Sequence, residues 1–247
     1  MKTKRIKSLA VAIALLMGIS FTSCLNSNNE SSWDLVQSVT IRSYMGSVYM
    51  LGDDGITYYP TNPDLLKISS TDGSPKYGER AFLTLKYVDE ATNGATAGSR
   101  NVTIVGGRFI SVKSFCDSPD TIKTTIPLVS LNAAGGVNGY ITVNFNYNYT
   151  GSKVDFDLYP EKVEGDLLTL RFKQTYGKDS YGGTSSLELY SYRIPSFSIL
   201  QSQLEDRSLG ELTPVNDSIY VTIVGTGSNN TDLTLNSPYN KFRIKAE

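Results

Sequence analysis

Chemistry has few places to reside in this chain, because its 247 residues contain no histidine. Catalytic sites of the Ser-His-Asp or Cys-His kind are therefore excluded, together with ordinary zinc and copper sites, which lean on imidazole. The serine–lysine alternative usually shows Ser-x-x-Lys, and that spacing does not occur. Carboxylates remain. Asp155 and Asp157, with Glu161, Glu164 and Asp166 nearby, form the densest acidic stretch. Two carboxylates two residues apart on a strand share a face and could bind calcium or act as a glycosidase pair. The clean alternation around them instead sets them on the solvent side of an ordinary strand. No Asp-x-Asp-x-Asp-Gly calcium loop is present. Asp53-Asp54-Gly55 is likewise a turn before it is a metal loop. No catalytic residue, metal ligand or cofactor site is expected.

The two cysteines have different fates. Lys2-Thr-Lys-Arg-Ile-Lys7 is a basic run, Leu9–Phe21 is an apolar core, and small residues follow up to Cys24. A membrane-spanning helix needs roughly 20 apolar residues, so this core of 13 reads as a removable signal peptide over residues 1–23. Phe21-Thr22-Ser23-Cys24 resembles a lipobox, which makes Cys24 the lipidated first residue of the mature protein, carrying acyl chains such as palmitate. Each buried methylene contributes about 0.8 kcal/mol, so two or three chains hold a protein to its membrane almost permanently. Residues 24–32 are polar and patternless, a tether. Leu25 stands where inner-membrane retention would want aspartate, so the outer membrane is the expected destination, its face undecided. Cys116 is then the last thiol, which rules out an intramolecular disulfide; it reads as a small buried hydrophobe.

Signal removal takes four basic residues with it, leaving 19 against 24 acidic ones, a net charge of −5. No basic excess exists to displace phosphate counterions, so nucleic acid is not an expected partner. A composition 40% hydrophobic and 19% charged is that of a folded globular protein rather than a disordered one.

From Trp33 onward the apolar signal has period two, the mark of strands. Val36–Ile41, Gly46–Leu51 and Ile56–Pro60 are three, the last two joined through Asp53-Asp54-Gly55, where Gly supplies positive φ at low cost. Pro63–Lys67 predicts a short helical turn. Ala81–Val88, Val102–Val105 and Arg108–Val112 follow, with Gly106-Gly107 as a bulge. Five or six short strands with a bulge suit a small OB-like barrel over residues 33–117. Turn residues cluster at Asp117-Ser-Pro-Asp120, and a second domain over 118–247 opens with Ile122–Val129. Its clearest strand is Tyr140–Tyr149, with Ile141, Val143, Phe145, Tyr147 and Tyr149 on one side and Thr142, Asn144, Asn146 and Asn148 on the other. Strands at Val154–Tyr159, Leu168–Lys173, Leu187–Ile194, Ile219–Val224 and Phe242–Ile244 complete an immunoglobulin-like β-sandwich, with a helical turn or two at Phe197–Leu204. The fold class is all-β.

Sixteen tyrosines stand out, with Tyr58, Tyr59, Tyr147, Tyr149, Tyr176, Tyr181, Tyr190 and Tyr192 on strands or at their ends. A tyrosine offers a flat apolar face and a hydroxyl, useful for stacking on sugars or anchoring a protein interface. Strands also favour tyrosine for packing alone. Tyr190, Tyr192 and the Asn144–Asn146–Asn148 face are the candidates for a binding surface.

The lipobox cysteine, the Trp33-Asp34 opening, Asp54-Gly55-Ile56-Thr57-Tyr58-Tyr59-Pro60 and Arg80-Ala-Phe-Leu-Thr-Leu-Lys-Tyr87 together resemble the NigD-like lipoproteins of Bacteroidales. The resemblance implies an N-terminal OB-like domain, a C-terminal β-sandwich and no established catalytic activity; the immunity role in the family's name comes from a gene neighbouring a bacteriocin. Asp120-Thr121-Ile122 and Asp217-Ser218-Ile219 resemble the Asp-Ser/Thr-aliphatic acceptor of bacterial protein O-glycosylation, which makes Thr121 and Ser218 candidates. The expected function is a non-catalytic, lipid-anchored outer-membrane module that binds a protein or glycan at the envelope or protects against one. The alternatives are a structural component joined by strand addition at an edge such as Tyr140–Tyr149 and, less favoured, a carboxylate glycosidase.

Overall fold

The computed structural model describes residues 33–69, 75–88, 98–115, 127–149, 155–176, 184–235 and 241–245. The expectations for the signal peptide, Cys24, the tether, Cys116, Thr121 and the Asp117–Asp120 boundary lie outside these residues.

The first half is a closed five-stranded barrel. Its strands are β1 (Leu35–Tyr44), β2 (Ser47–Gly52), β3 (Thr57–Pro60), β6 (Arg80–Tyr87) and β7 (Ser99–Phe109). They run β1-β2-β3-β7-β6 and close with β6 against β1. All pairs are antiparallel except β3–β7, which is parallel and so needs a long crossover. That crossover holds a 3-10 turn at Pro63–Leu66 and a small hairpin, β4 (Lys67–Ser69) with β5 (Pro75–Tyr77). Alternate residues fill the interior: Val39, Ile41, Met50, Tyr58, Leu83, Leu85, Val102 and Ile104. The bulge expected at Gly106-Gly107 is a register shift in β6–β7, where Val105 is the extra residue. Gly107 beside it has φ +144, and a Cβ there would lie 2.4 Å from the Phe82 carbonyl oxygen.

The motifs behind the family resemblance hold this barrel together. Asp34 accepts the Tyr87 amide at 2.8 Å, fastening the start of β1 to the end of β6. Asp54 accepts the Ile56 amide with one oxygen and the Tyr58 hydroxyl with the other, at 3.0 and 2.6 Å. Burial, with Asp54 beside it, pushes the Tyr58 hydroxyl well above its usual pKa. Gly55 at φ +82 makes the turn. Past Pro60, which has no amide to donate, Asn62 exchanges two 2.9 Å bonds with the Ile104 backbone and carries the pairing onward.

The second half is a two-sheet sandwich. One sheet runs β8-β13-β10-β9, from β8 (Ser111–Lys113), β9 (Leu128–Val137), β10 (Tyr140–Tyr149) and β13 (Thr184–Arg193). The other holds β11 (Asp155–Glu164), β12 (Leu167–Tyr176), β14 (Ser218–Thr226) and β15 (Asp232–Thr234), with β16 (Lys241–Lys245) also on β14. β8, which the sequence groups with the first domain, pairs in parallel with β13. Phe145 centres the core, with ring centroids 4.8 Å from Phe156, 4.7 Å from Phe172 and 5.4 Å from Tyr190. Helix α1 (Phe197–Asp206) buries Leu200 and Leu204, four residues apart on one face, against this core.

Two expectations are corrected. The strand expected over Ile122–Val129 is described only from Leu128, and it continues past Val129 to Val137; residues 121–126 lie outside the described residues. Tyr140–Tyr149 is not an edge: β9 pairs on one side and β13 on the other, so its backbone is already bonded along both flanks.

Candidate binding surfaces

Among the described residues the two most exposed aromatic side chains, Tyr44 and Tyr59, stand on β1 and β3 of the barrel, with the partly buried Tyr49 of β2 beside Tyr59. Arg42 lies opposite Tyr49 across β1–β2, and Met50 opposite Tyr58 across β2–β3, which aligns Tyr49 with Tyr59. Tyr58 points inward and is fully buried, so its neighbour Tyr59 points outward, 47% exposed. The Tyr49 and Tyr59 rings stand 6.4 Å apart and tilted at 42°, a shallow aromatic cradle. Arg42 closes one end of this row, and Asn101, opposite Tyr59 on β7, closes the other. Above it the β1–β2 hairpin turns through Met45 and Gly46 at φ +50 and +82, holding out Tyr44 and Met45, the latter 87% exposed.

The barrel is joined to the sandwich through Arg80, the first residue of the Arg80–Tyr87 motif. It opens β6 and is fully buried. Its guanidinium grips Asp53 through two bonds of 2.7 and 2.8 Å and also donates to Thr40 at 2.8 Å, all within the barrel. Across the seam it donates to Thr142 of β10 at 2.7 Å and to Ser191 of β13 at 3.4 Å. Tyr140 lies under it, 5.2 Å from ring centre to guanidinium carbon. Glu79, next in sequence, accepts from Arg193 and from the Tyr140 hydroxyl. The Arg193 guanidinium holds the Glu79 carboxyl below the usual carboxylate range. Burial, then Glu79, raises the Tyr140 hydroxyl. Asn138, in the β9–β10 turn, donates to the carbonyls of Leu51 and Gly52.

The residues singled out in the sequence are not brought together. Tyr190 and Tyr192 pair with Val143 and Ile141 on the core face of the sheet, whereas Asn144 and Asn146 pair with Leu189 and Leu187 on the opposite face. Tyr192 is fully buried and donates to the Phe156 carbonyl at 2.8 Å, a bond between the two sheets, so it is a core residue and not a contact for a ligand. Tyr190 is half-buried against Phe145 and beneath the Lys113 ammonium, 4.9 Å from its ring centre; burial raises its hydroxyl pKa. Asn144 accepts from Asn132 at 3.3 Å, and the Asn146 carbonyl oxygen is buried without a hydrogen-bond partner among the described residues. Ser218 is buried in β14 and donates to the Asn216 carbonyl. A transferase needs an exposed hydroxyl, so Ser218 is withdrawn as an acceptor in the folded protein.

The acidic pair is also engaged. Lys113 of β8 donates to Asp155, to Asp157 at 3.1 Å and to the Phe156 carbonyl at 2.6 Å, bridging the two sheets at their edge. Both carboxylates therefore serve one ammonium and face a sheet edge rather than a cleft. Among the described residues, no group of three or more His, Cys, Asp or Glu side chains is placed to hold a metal ion, and no helix is long and apolar enough to cross a membrane.

No family model matches the chain, and no curated protein matches it. Solved structures do. A candidate lipoprotein of Bacteroides fragilis is 15% identical with a TM-score of 0.56, over 86% of this chain and 98% of that one. A candidate toxin-related protein of Parabacteroides distasonis is 16% identical with a TM-score of 0.56, over 86% and 94%. A NigD-like immunity protein of Bacteroides caccae is 12% identical with a TM-score of 0.51, over 88% and 100%. The chain shares the fold of these proteins over 86–88% of its length, which bears out the NigD-like resemblance at the level of the fold.

Proposed function

We propose that this protein is a non-catalytic lipoprotein of the outer membrane, anchored through Cys24, that binds a neutral glycan at the cell envelope on the tyrosine face of its barrel. The observation that carries the reading is the Tyr49–Tyr59 pair: two ring faces side by side on the outside of a strand surface, flanked by Arg42 and Asn101. Sugar rings present a C–H face and hydroxyls together, and tyrosine meets both. The likeness to a candidate lipoprotein supports the anchor, and the acidic balance of the mature chain speaks against nucleic acid. A protein ligand, as an immunity-type blocker would need, is the second reading. It is favoured by Tyr44 and Met45, two apolar side chains held out on a hairpin tip.

Native gels cast with laminarin, dextran or mannan test the ligand. Wild type should be retarded in at least one, and Tyr49→Ala with Tyr59→Ala should migrate as in a plain gel. Equal mobility of both proteins in all three gels would reject the glycan reading. For the anchor, Cys24→Ala should leave the membrane fraction; a variant that stays there would reject lipidation.

A further inference from the structure

The seam between barrel and sandwich holds two hollows that adjoin across a single ion pair. The first, about 480 Å³, lies between β1 and the β4–β5 hairpin; Ile41 and Ile68 line it with Arg42, Lys76 and Glu79. The second, about 280 Å³, lies between the start of helix α1 and the segment after β8; Phe115, Pro195 and Ile199 line it with Arg193. Glu79 of the first is bonded to Arg193 of the second, so the pair forms the saddle between them.

The charges and the apolar surface are divided unevenly. Among the described residues, three cations, Arg42, Lys76 and Arg193, and one carboxylate, Glu79, line the two hollows. This excess sits on a chain with more acidic than basic residues overall. Lys76 and Arg42 are exposed on the rim of the first hollow, above an apolar floor. Among the described residues the second has no charge besides Arg193, and Ile199 stands 55% exposed beside it. Glu79 is already matched by Arg193 and Tyr140, and Arg42 sits against that same pair, which leaves the attraction of Lys76 for an incoming anion.

From this arrangement we infer that the seam is a second binding site, adjoining the tyrosine face at Arg42, for an extended peptide segment of a partner protein bearing an acidic side chain and, a few residues away, an apolar one. The carboxylate meets Lys76, the chain passes over the Glu79–Arg193 saddle, and the apolar side chain fills the hollow of Phe115, Pro195 and Ile199. Complementary charge sets register and on-rate, and the desolvated apolar anchor supplies most of the affinity.

Fluorescence anisotropy with synthetic Gly/Ser peptides tests this, each carrying one Glu and one Leu separated by one to five residues. At least one spacing should bind. Glu→Gln or Leu→Ser in that peptide should weaken binding roughly tenfold, and so should Lys76→Glu or Ile199→Asp in the full chain. Both positions are exposed, so melting temperatures should stay at the wild-type value, separating lost contact from lost fold. Tyr49→Ala with Tyr59→Ala should leave peptide binding intact, which distinguishes failure of this site from failure of the tyrosine face. Absence of binding at every spacing, or affinity unchanged by both Lys76→Glu and Ile199→Asp, would overturn the inference.

Discussion

Arg80 is charged, fully buried and bonded to five oxygen atoms, two of them on Asp53 and two on the opposite side of the seam. Such a group tolerates loss of a partner poorly, because the remaining charge stays desolvated. Asp53→Asn should therefore destabilise the fold by about 3 kcal/mol in urea titrations. A change below about 1 kcal/mol would mean that Arg80 is solvated in ways its burial denies. Glu79 gives a pH signature. Its pKa is lowered on folding by Arg193, so its contribution is fully present above the unfolded value of about 4.3. It is lost as pH falls through the lower folded value. Glu79→Gln should accordingly flatten the acid limb of the stability–pH curve and leave its slope near pH 7 unchanged. Neither residue was legible in the sequence as a site. Arg80 opens a strand whose alternate residues point inward, and period two says only that it points outward, not that a second domain covers it.

At the scale of elements, legibility followed the sharpness of alternation. β10 was read with its observed limits because four polar residues interleave five apolar ones without a break. β9 runs past its expected end at Val129 because its run Asn132-Ala-Ala-Gly-Gly136 has no alternation to read, and two bulges shift its register against β10. The β4–β5 hairpin was missed because three-residue strands carry no period. The tyrosine face needed a register that only the closed barrel supplies, since Tyr49 and Tyr59 belong to different strands. Two predictions belong here. Phe145→Ala removes the ring on which both sheets close and should cost about 3–5 kcal/mol by chemical denaturation. Met45 occupies a left-handed turn position that suits Asn, as at Asn138-Gly139 in the β9–β10 turn. Met45→Asn should therefore stabilise the protein by about 0.5 kcal/mol in the same assay, despite removing nothing that packs.

For the whole molecule, the barrel and sandwich are bound through Arg80, Glu79 and Asn138, so one calorimetric transition is expected from wild type. Arg80→Met should split or broaden it; a single sharp transition in that variant would show that the seam's polar bonds do not couple the halves. This pairing leaves two surfaces that meet at Arg42, the tyrosine face and the seam, on a body we propose is held to the membrane by its N-terminus. The edge strand β11 carries Asp155, Asp157, Glu161, Lys162 and Glu164 around Pro160, with a bulge at Glu161. Those features discourage growth by strand addition and weigh against a fibre-like assembly at that edge. Binding at the tyrosine face is the central claim, and amide chemical-shift mapping with laminarihexaose, isomaltohexaose and mannohexaose tests it most directly. At least one of these neutral glycans should shift the amides around Arg42, Tyr49, Tyr59 and Asn101, leaving those of the sandwich in place. No shift with any of the three at millimolar concentration, or shifts confined to the sandwich, would contradict it.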